Sequence, residues 1–220
     1  MTTWWGQEQP ERPAPGADRQ ADRAVLELVR AEVLPRLPPE GHPARATALV
    51  DLGRQLVADY EANGCAEVVD EAVALCRRAL RDTPVADVRR AAHAEALGAV
   101  LTKRFHATGS ANDLNDAIVA YRDALRAPRA DSTWDRTACQ AALGDLVGRR
   151  YARTGRRADL DEAISRYRTA AHKTPRSHPT RRTYLTRLAE ALTVRGKLTG
   201  STLDLDEATD ATAEATTPTP

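Results

Sequence analysis

Acid–base or metal chemistry needs carboxylates held close together, and this chain repeats such a pair at Asp70-Glu71, Asp161-Glu162 and Asp206-Glu207. Each pair stands at the expected start of a helix. There the backbone N–H groups lack partners and the helix dipole favours negative charge. A structural role accounts for all three pairs, so no catalytic residue is assigned. His42, His93, His106, His172 and His178 form neither HExxH nor another metal spacing. A neutral, surface or partly buried imidazole is the expectation for each. Cys65, Cys76 and Cys139 are odd in number and include no CxxC, which favours neither a disulfide framework nor a zinc site. Neither GxSxG nor a phosphate-cradling glycine-rich loop occurs. No metal and no cofactor are expected.

Arginine offers the other chemistry. One slot recurs as Asp59, Arg104, Arg150 and Arg195, and the position before it as Ala58, Lys103, Arg149 and Val194. Equivalent positions of a stacked repeat line up along one side. Lys103, Arg104, Arg149, Arg150 and Arg195 are therefore expected to form a row. Two readings stay open. Cations near a helix C-terminus complement its dipole and can pair with carboxylates of the next helix. Alternatively, the guanidinium forks bind carboxylates of a partner. Residues 140–200 hold 14 basic and 5 acidic side chains, while the last twenty residues hold five acids. The basic segment could attract an acidic protein or nucleic acid, or the acidic end could neutralise it in cis. Aromatics for base stacking are not interleaved there, which argues against single-stranded nucleic acid. Trp4 and Trp5 sit in a polar tail and are a candidate docking anchor. The alternative is that they cover the chain's own surface.

The elements that position these residues are read from a period. Gly64, Gly109, Gly155 and Gly200 are spaced 45, 46 and 45 residues apart. Each is placed as the left-handed residue that ends a helix A. Helix A carries Leu52-Gly53, Leu97-Gly98, Leu143-Gly144 and Leu188-Ala189, where a missing side chain lets a neighbouring helix approach. Helix B carries a buried face at Ala72, Cys76 and Ala79, then Ala117, Tyr121 and Ala124, then Ala163, Tyr167 and Ala170. A proline ends each of these three. Asp113, Asp159 and Asp204 are expected as N-caps of helix B, with Asp116, Glu162 and Glu207 closing a capping box. The fourth helix B reads Ala208, Thr212 and Ala215 and is expected to be weak, because β-branched threonines replace large side chains.

A helical hairpin with Leu-Gly in its first helix and Ala-x3-Tyr-x2-Ala-x4-Pro in its second resembles the tetratricopeptide repeat, and the resemblance covers about residues 43–215. The 45–46 residue period is about 11 longer than that repeat. With the Gly-x4-Leu-Asp-Glu-Ala signature, it looks like the arrays attached to bacterial CHAT peptidase domains. The resemblance implies an all-α, right-handed superhelical solenoid.

The expected organisation is a disordered tail over 1–21 and a capping helix with a proline-rich connector over 22–42. A four-repeat array follows over 43–215, then a short tail over 216–220. The net charge of +1 gives no whole-molecule argument for nucleic acid or an anionic membrane. No leader or membrane span is read from the chain, so the cytoplasm and a monomer are the default expectations. The expected function is a non-enzymatic protein-interaction scaffold that holds a partner segment on its concave, A-helix side. The alternative is a nucleic-acid-associated regulator that uses the Arg strip.

Overall fold

The computed structural model describes residues 19–63, 66–128 and 136–217, and every regular element among them is a helix. Helix α1 (Arg19–Leu28) continues through a wide turn at Val29–Val33 and a tight one at Leu34–Arg36. Pro35 stands in the tight turn, and the prolines at 38 and 39 follow it. Then come α2 (Arg45–Asn63), α3 (Ala66–Asp82), α4 (Arg90–Thr108) and α5 (Ala111–Arg126). The second half holds α6 (Arg136–Thr154), α7 (Arg157–Lys173), α8 (Thr180–Thr199) and α9 (Thr202–Thr216). Successive helices pair as hairpins α2/α3, α4/α5, α6/α7 and α8/α9.

The helices fall into two compact units, α1–α5 and α6–α9. In the first unit α3 packs on α4 and α2 also meets α4, so two hairpins stack, with α1 against α3. In the second unit α7 packs on α8 and joins two further hairpins. Each unit is thus a stack of helical hairpins of the kind found in helical-repeat solenoids.

The hairpin turns follow from glycine. Gly109, Gly155 and Gly200 have φ of 71°, 66° and 72°, where an L side chain is strained. The Gly109 N–H donates to Phe105 O at 2.7 Å and that of Gly155 to Tyr151 O at 2.8 Å, closing helix A as expected. Gly64 lies outside the described residues. The preceding threonine stitches each turn. The Thr108 hydroxyl donates to Arg104 O at 2.8 Å and accepts from the Ser110 N–H at 3.2 Å. Thr154 and Thr199 repeat both bonds.

The Leu-Gly glycines do what their position predicts. A Cβ on Gly98 would stand 2.8 Å from the Tyr121 ring, one on Gly144 2.8 Å from the Tyr167 ring, and one on Gly53 2.8 Å from Cys76 Sγ. The two helices of a hairpin therefore meet with a ring or thiol laid on bare backbone. Leu49, Leu101, Leu143, Leu160, Ile164 and Leu192 fill the core around these contacts and are essentially inaccessible. Burying each such side chain contributes about 1.5–3 kcal/mol.

The N-caps differ from expectation. Helix α5 is capped by Ser110 and α9 by Ser201, whose hydroxyls accept from the Asp113 and Asp204 N–H groups at 3.3 Å. Asp113, Asp159 and Asp204 stand two residues inside the helices. Arg156 precedes α7 without a side-chain cap. The aspartates do not act as caps because their carboxylates are drawn to arginine.

Candidate interaction surface

The repeated arginines each form ion pairs, and their forks face carboxylates of the same chain. Arg104 Nε and Nη2 donate to Asp113 Oδ2 and Oδ1 at 3.0 and 2.6 Å. Arg150 repeats this with Asp159 at 3.0 and 2.6 Å, and Arg195 with Asp204 at 2.8 and 2.7 Å. Every pair spans nine residues, from the last turns of helix A across the glycine turn to the third residue of helix B. The bidentate form matches the planar guanidinium to the carboxylate. Hydrogen bonding from Arg195 holds the Asp204 carboxyl below its ordinary range. The Asp113 bond likewise raises the Arg104 guanidinium. In the first repeat Asp59 replaces the arginine and Val68, 2% exposed, replaces the aspartate, so the two slots change together.

A second bond ties each hairpin to the one before it within a unit. Arg104 Nη1 donates to Asp70 at 2.8 Å, and Arg195 Nη1 to Asp161 at 2.9 Å, each 34 residues earlier. Asp70-Glu71, Asp161-Glu162 and Asp206-Glu207 thus stand where a neighbouring hairpin can use them. Glu71 accepts from Arg30 in the Val29–Val33 turn, and Glu207 from Arg168 on α7 of the preceding hairpin. Arg77 pairs with Asp116 in the same manner. Asp113 is 7% exposed and Asp204 12%, whereas Asp70 is 64% exposed and Asp161 47%. The inner pair of each fork is covered and the outer one is open to solvent.

Of the other expected row members, Lys103 is exposed and Arg149 is buried, at 7% exposure. Trp4 and Trp5 lie outside the described residues. His93 is buried, between Thr47 Oγ1 at 3.3 Å and Thr83 Oγ1 at 2.8 Å. Thr83 already donates to Ala79 O, so His93 Nδ1–H is the donor to Thr83 and Nε2 accepts from Thr47. Burial pushes this imidazole below its ordinary value. Cys76 and Cys139 are buried free thiols, and burial lifts the Cys76 thiol to about 11. Tyr167 lies in the core of the second unit and donates to Asp145 Oδ1 at 2.8 Å. Arg187 pairs with the same carboxylate. Burial, helped by the Asp145 charge, holds the Tyr167 phenol well above its ordinary value.

A second arginine series was not anticipated. Arg45, Arg90, Arg136 and Arg181 follow the same 45, 46, 45 spacing, so the signal was present. Arg90 donates to Thr83 O at 2.8 Å and to Asp123 at 2.7 Å; Arg181 donates to Thr174 O at 2.7 Å and to Glu214 at 2.7 Å. These arginines satisfy the last carbonyls of the preceding helix B and anchor the start of helix A.

Besides a cleft of about 660 Å³ among Arg23, Glu27, Arg30, Glu67 and Glu71, two clefts bear on this framework. One, of about 580 Å³, lies in the first unit among Asp70, Arg77, Arg104, Asp113 and Asp116 and is lined by these ion pairs. The other, of about 910 Å³, lies in the second unit between the start of α8 and the last turns of α9. Among the described residues no group of three or more His, Cys, Asp or Glu side chains is placed to hold a metal ion, and no helix is long and apolar enough to cross a membrane. No protein-family model and no curated protein matches the chain.

Proposed function

We propose that the chain is a non-enzymatic protein-interaction scaffold. Its hairpins would hold an extended or helical segment of a partner on the concave side lined by the A helices. In this reading the hairpins wind as a right-handed superhelix, as in the arrays that accompany bacterial CHAT peptidases, and the protein acts in the cytoplasm as a monomer. The observation that supports it is the use of the repeated carboxylates. Asp113, Asp159 and Asp204 are each held by a bidentate arginine, and Asp70 and Asp161 of the candidate carboxylate pairs accept from an arginine of the next hairpin, which favours packing and surface as what the repeat provides. An acidic partner segment would displace the outer carboxylates Asp70 and Asp161, because exposed pairs contribute only about 0.2–1 kcal/mol. The inner pairs would keep the hairpins in register, with Lys103 beside them as a further cation.

Cross-linking of a partner identified by capture, followed by binding kinetics with the purified pair, tests this. Cross-links should map to α2, α4, α6 and α8. Charge reversal at Lys103 should slow association and flatten its salt dependence. Cross-links confined to the B helices would overturn the assignment of the binding side. Tight binding of duplex DNA with a steep salt slope would instead support a nucleic-acid-associated regulator.

A further inference from the structure

The cleft between the start of α8 and the last turns of α9 lies within the second unit and has spare positive charge. It is walled by Arg176, His178, Pro179, Arg182, Leu185 and Ala213. Pro179, Leu185 and Ala213 give it an apolar lining, and no Phe, Tyr or Trp is among the residues around it. Glu214 is its one acid and is already held by Arg181 at 2.7 Å. Arg176 reaches the same carboxylate only at 4.0 Å while remaining 90% exposed. Arg182 is exposed and has no carboxylate partner among the described residues. The Thr180 N–H and hydroxyl both meet His178 Nδ1, at 3.4 and 2.7 Å, which leaves the imidazole proton on Nε2 as a further donor. The matching place in the first unit is built from other residues. Arg122 stands at the position of Ala213, and Ala91, 2% exposed, at that of Arg182. A small side chain on α9 and a second arginine on α8 therefore distinguish this hairpin.

We propose that this cleft docks an acidic segment of a partner protein, one that brings a Leu- or Phe-sized side chain flanked by carboxylates. The inference rests on the scaffold reading and names the chemistry of its partner. The apolar side chain sits on Leu185 and Ala213, where removal of apolar area from water supplies the grip. The carboxylates on either side meet Arg176 and Arg182, whose planar forks each donate two parallel N–H bonds. Exposed ion pairs of this kind steer and register a partner more than they hold it, so the apolar contact and the charges are needed together. A cleft of about 910 Å³ is of the size that takes one large side chain with its neighbours. A phosphodiester backbone brings charge without an apolar side chain, and the cleft offers no aromatic face on which a base could stack.

The probe is a set of short fluorescein-labelled peptides, each with one Leu or Phe between Glu and Asp residues, titrated with the full chain by fluorescence anisotropy. The apolar peptides should bind, and counterparts with Ser in place of Leu or Phe should bind about tenfold more weakly. Ala213→Arg, which installs the residue of the first unit, and Arg182→Glu are both at exposed positions. Each should lower the affinity about tenfold while helicity by circular dichroism is retained. Absence of binding by every peptide at low salt overturns the proposal, as does equal binding of the Ser counterparts, and neither comparison needs a variant. Affinity unchanged in both variants places the peptides elsewhere and also overturns it. So does duplex DNA that displaces the peptides at matched charge, which would assign the cleft to nucleic acid. The scaffold reading fails separately: a captured partner that still cross-links to the A helices of the Ala213→Arg chain keeps the scaffold and removes this cleft.

Discussion

Gly144 and Gly155 lie eleven residues apart and are required for different reasons. Nothing lies within 4 Å of a Cβ placed on Gly155, so the only cost of a side chain there is its φ of +66°. Gly155→Val should destabilise by about 1 kcal/mol or more, read from thermal melts, and an unchanged melting temperature would remove Gly155 as the helix stop. At Gly144 the backbone is ordinary and the Tyr167 ring is in the way. Gly144→Ala should cost about 1–3 kcal/mol by overpacking. Its effect should be strongly non-additive with Tyr167→Thr, the combination that α8 and α9 already use as Ala189 and Thr212. Additive effects in a double-mutant cycle would contradict the contact. His93 gives a pH dependence. Its folded pKa lies below the unfolded value of about 6.5, chiefly through burial and the nearby Arg89. The folded state therefore binds fewer protons, so stability is full above about pH 6.5 and falls as pH drops from there towards the folded pKa. Urea melts at pH 7.5 and pH 5.5 should show the loss, and His93→Gln should reduce it. Both glycine roles were legible in the sequence, because a left-handed turn and a close approach each demand that one residue type. His93 was not, since its threonine partners stand 46 and 10 residues away and carry no period of their own.

For a helix pair, the nine-residue Arg–Asp step decides how the hairpin closes. Removing the inner partner should cost more than removing the outer one. Asp113→Asn should destabilise by about 1–2 kcal/mol, in line with hydrogen bonds to charged groups that are largely covered. Asp70→Asn should cost at most about 1 kcal/mol, as exposed ion pairs do. Chemical denaturation of the two variants checks the order, and equal losses would mean that the covered pair carries no special weight. The sequence showed the arginine slot and the repeated aspartates but not that they meet. An aspartate at a helix start satisfies capping rules whether it lies at the cap or two residues inside. Only the fork of Arg104, Arg150 or Arg195 nearby selects the inner position. The series Arg45, Arg90, Arg136 and Arg181 is harder to read, because Arg45, Arg90 and Arg181 all donate to backbone carbonyls, which leave no mark on residue type.

Across the whole chain, stability should be lowest in α9. Val73, Ile118 and Ile164 are buried at one helix B position where α9 has exposed Thr209, and Thr216 similarly replaces Leu125 and Ala171. The Thr209, Thr212 and Thr216 hydroxyls turn back to carbonyls of their own helix, which gives α9 a polar outer face of the kind terminal repeats carry. Amide exchange through residues 208–216 should be fast while α4 and α7 stay protected; slow exchange there would point to something covering α9. The repeat phase that places these threonines was fully legible, since four copies agree on it. The division of the helices into two units was not, because the same spacing runs through both.

The ion pairs also bear on how such a chain can grow. The joint between hairpins α2/α3 and α4/α5 and the joint between hairpins α6/α7 and α8/α9 use the same parts at the same separations, a carboxylate 34 residues before its arginine and an arginine 39 residues before its carboxylate. A hairpin that carries both halves of that code brings its own plug and its own socket. Tandem copying of one such 45-residue segment would deliver a finished joint with no compensating change, so length could be gained by duplication before any new contact had to evolve.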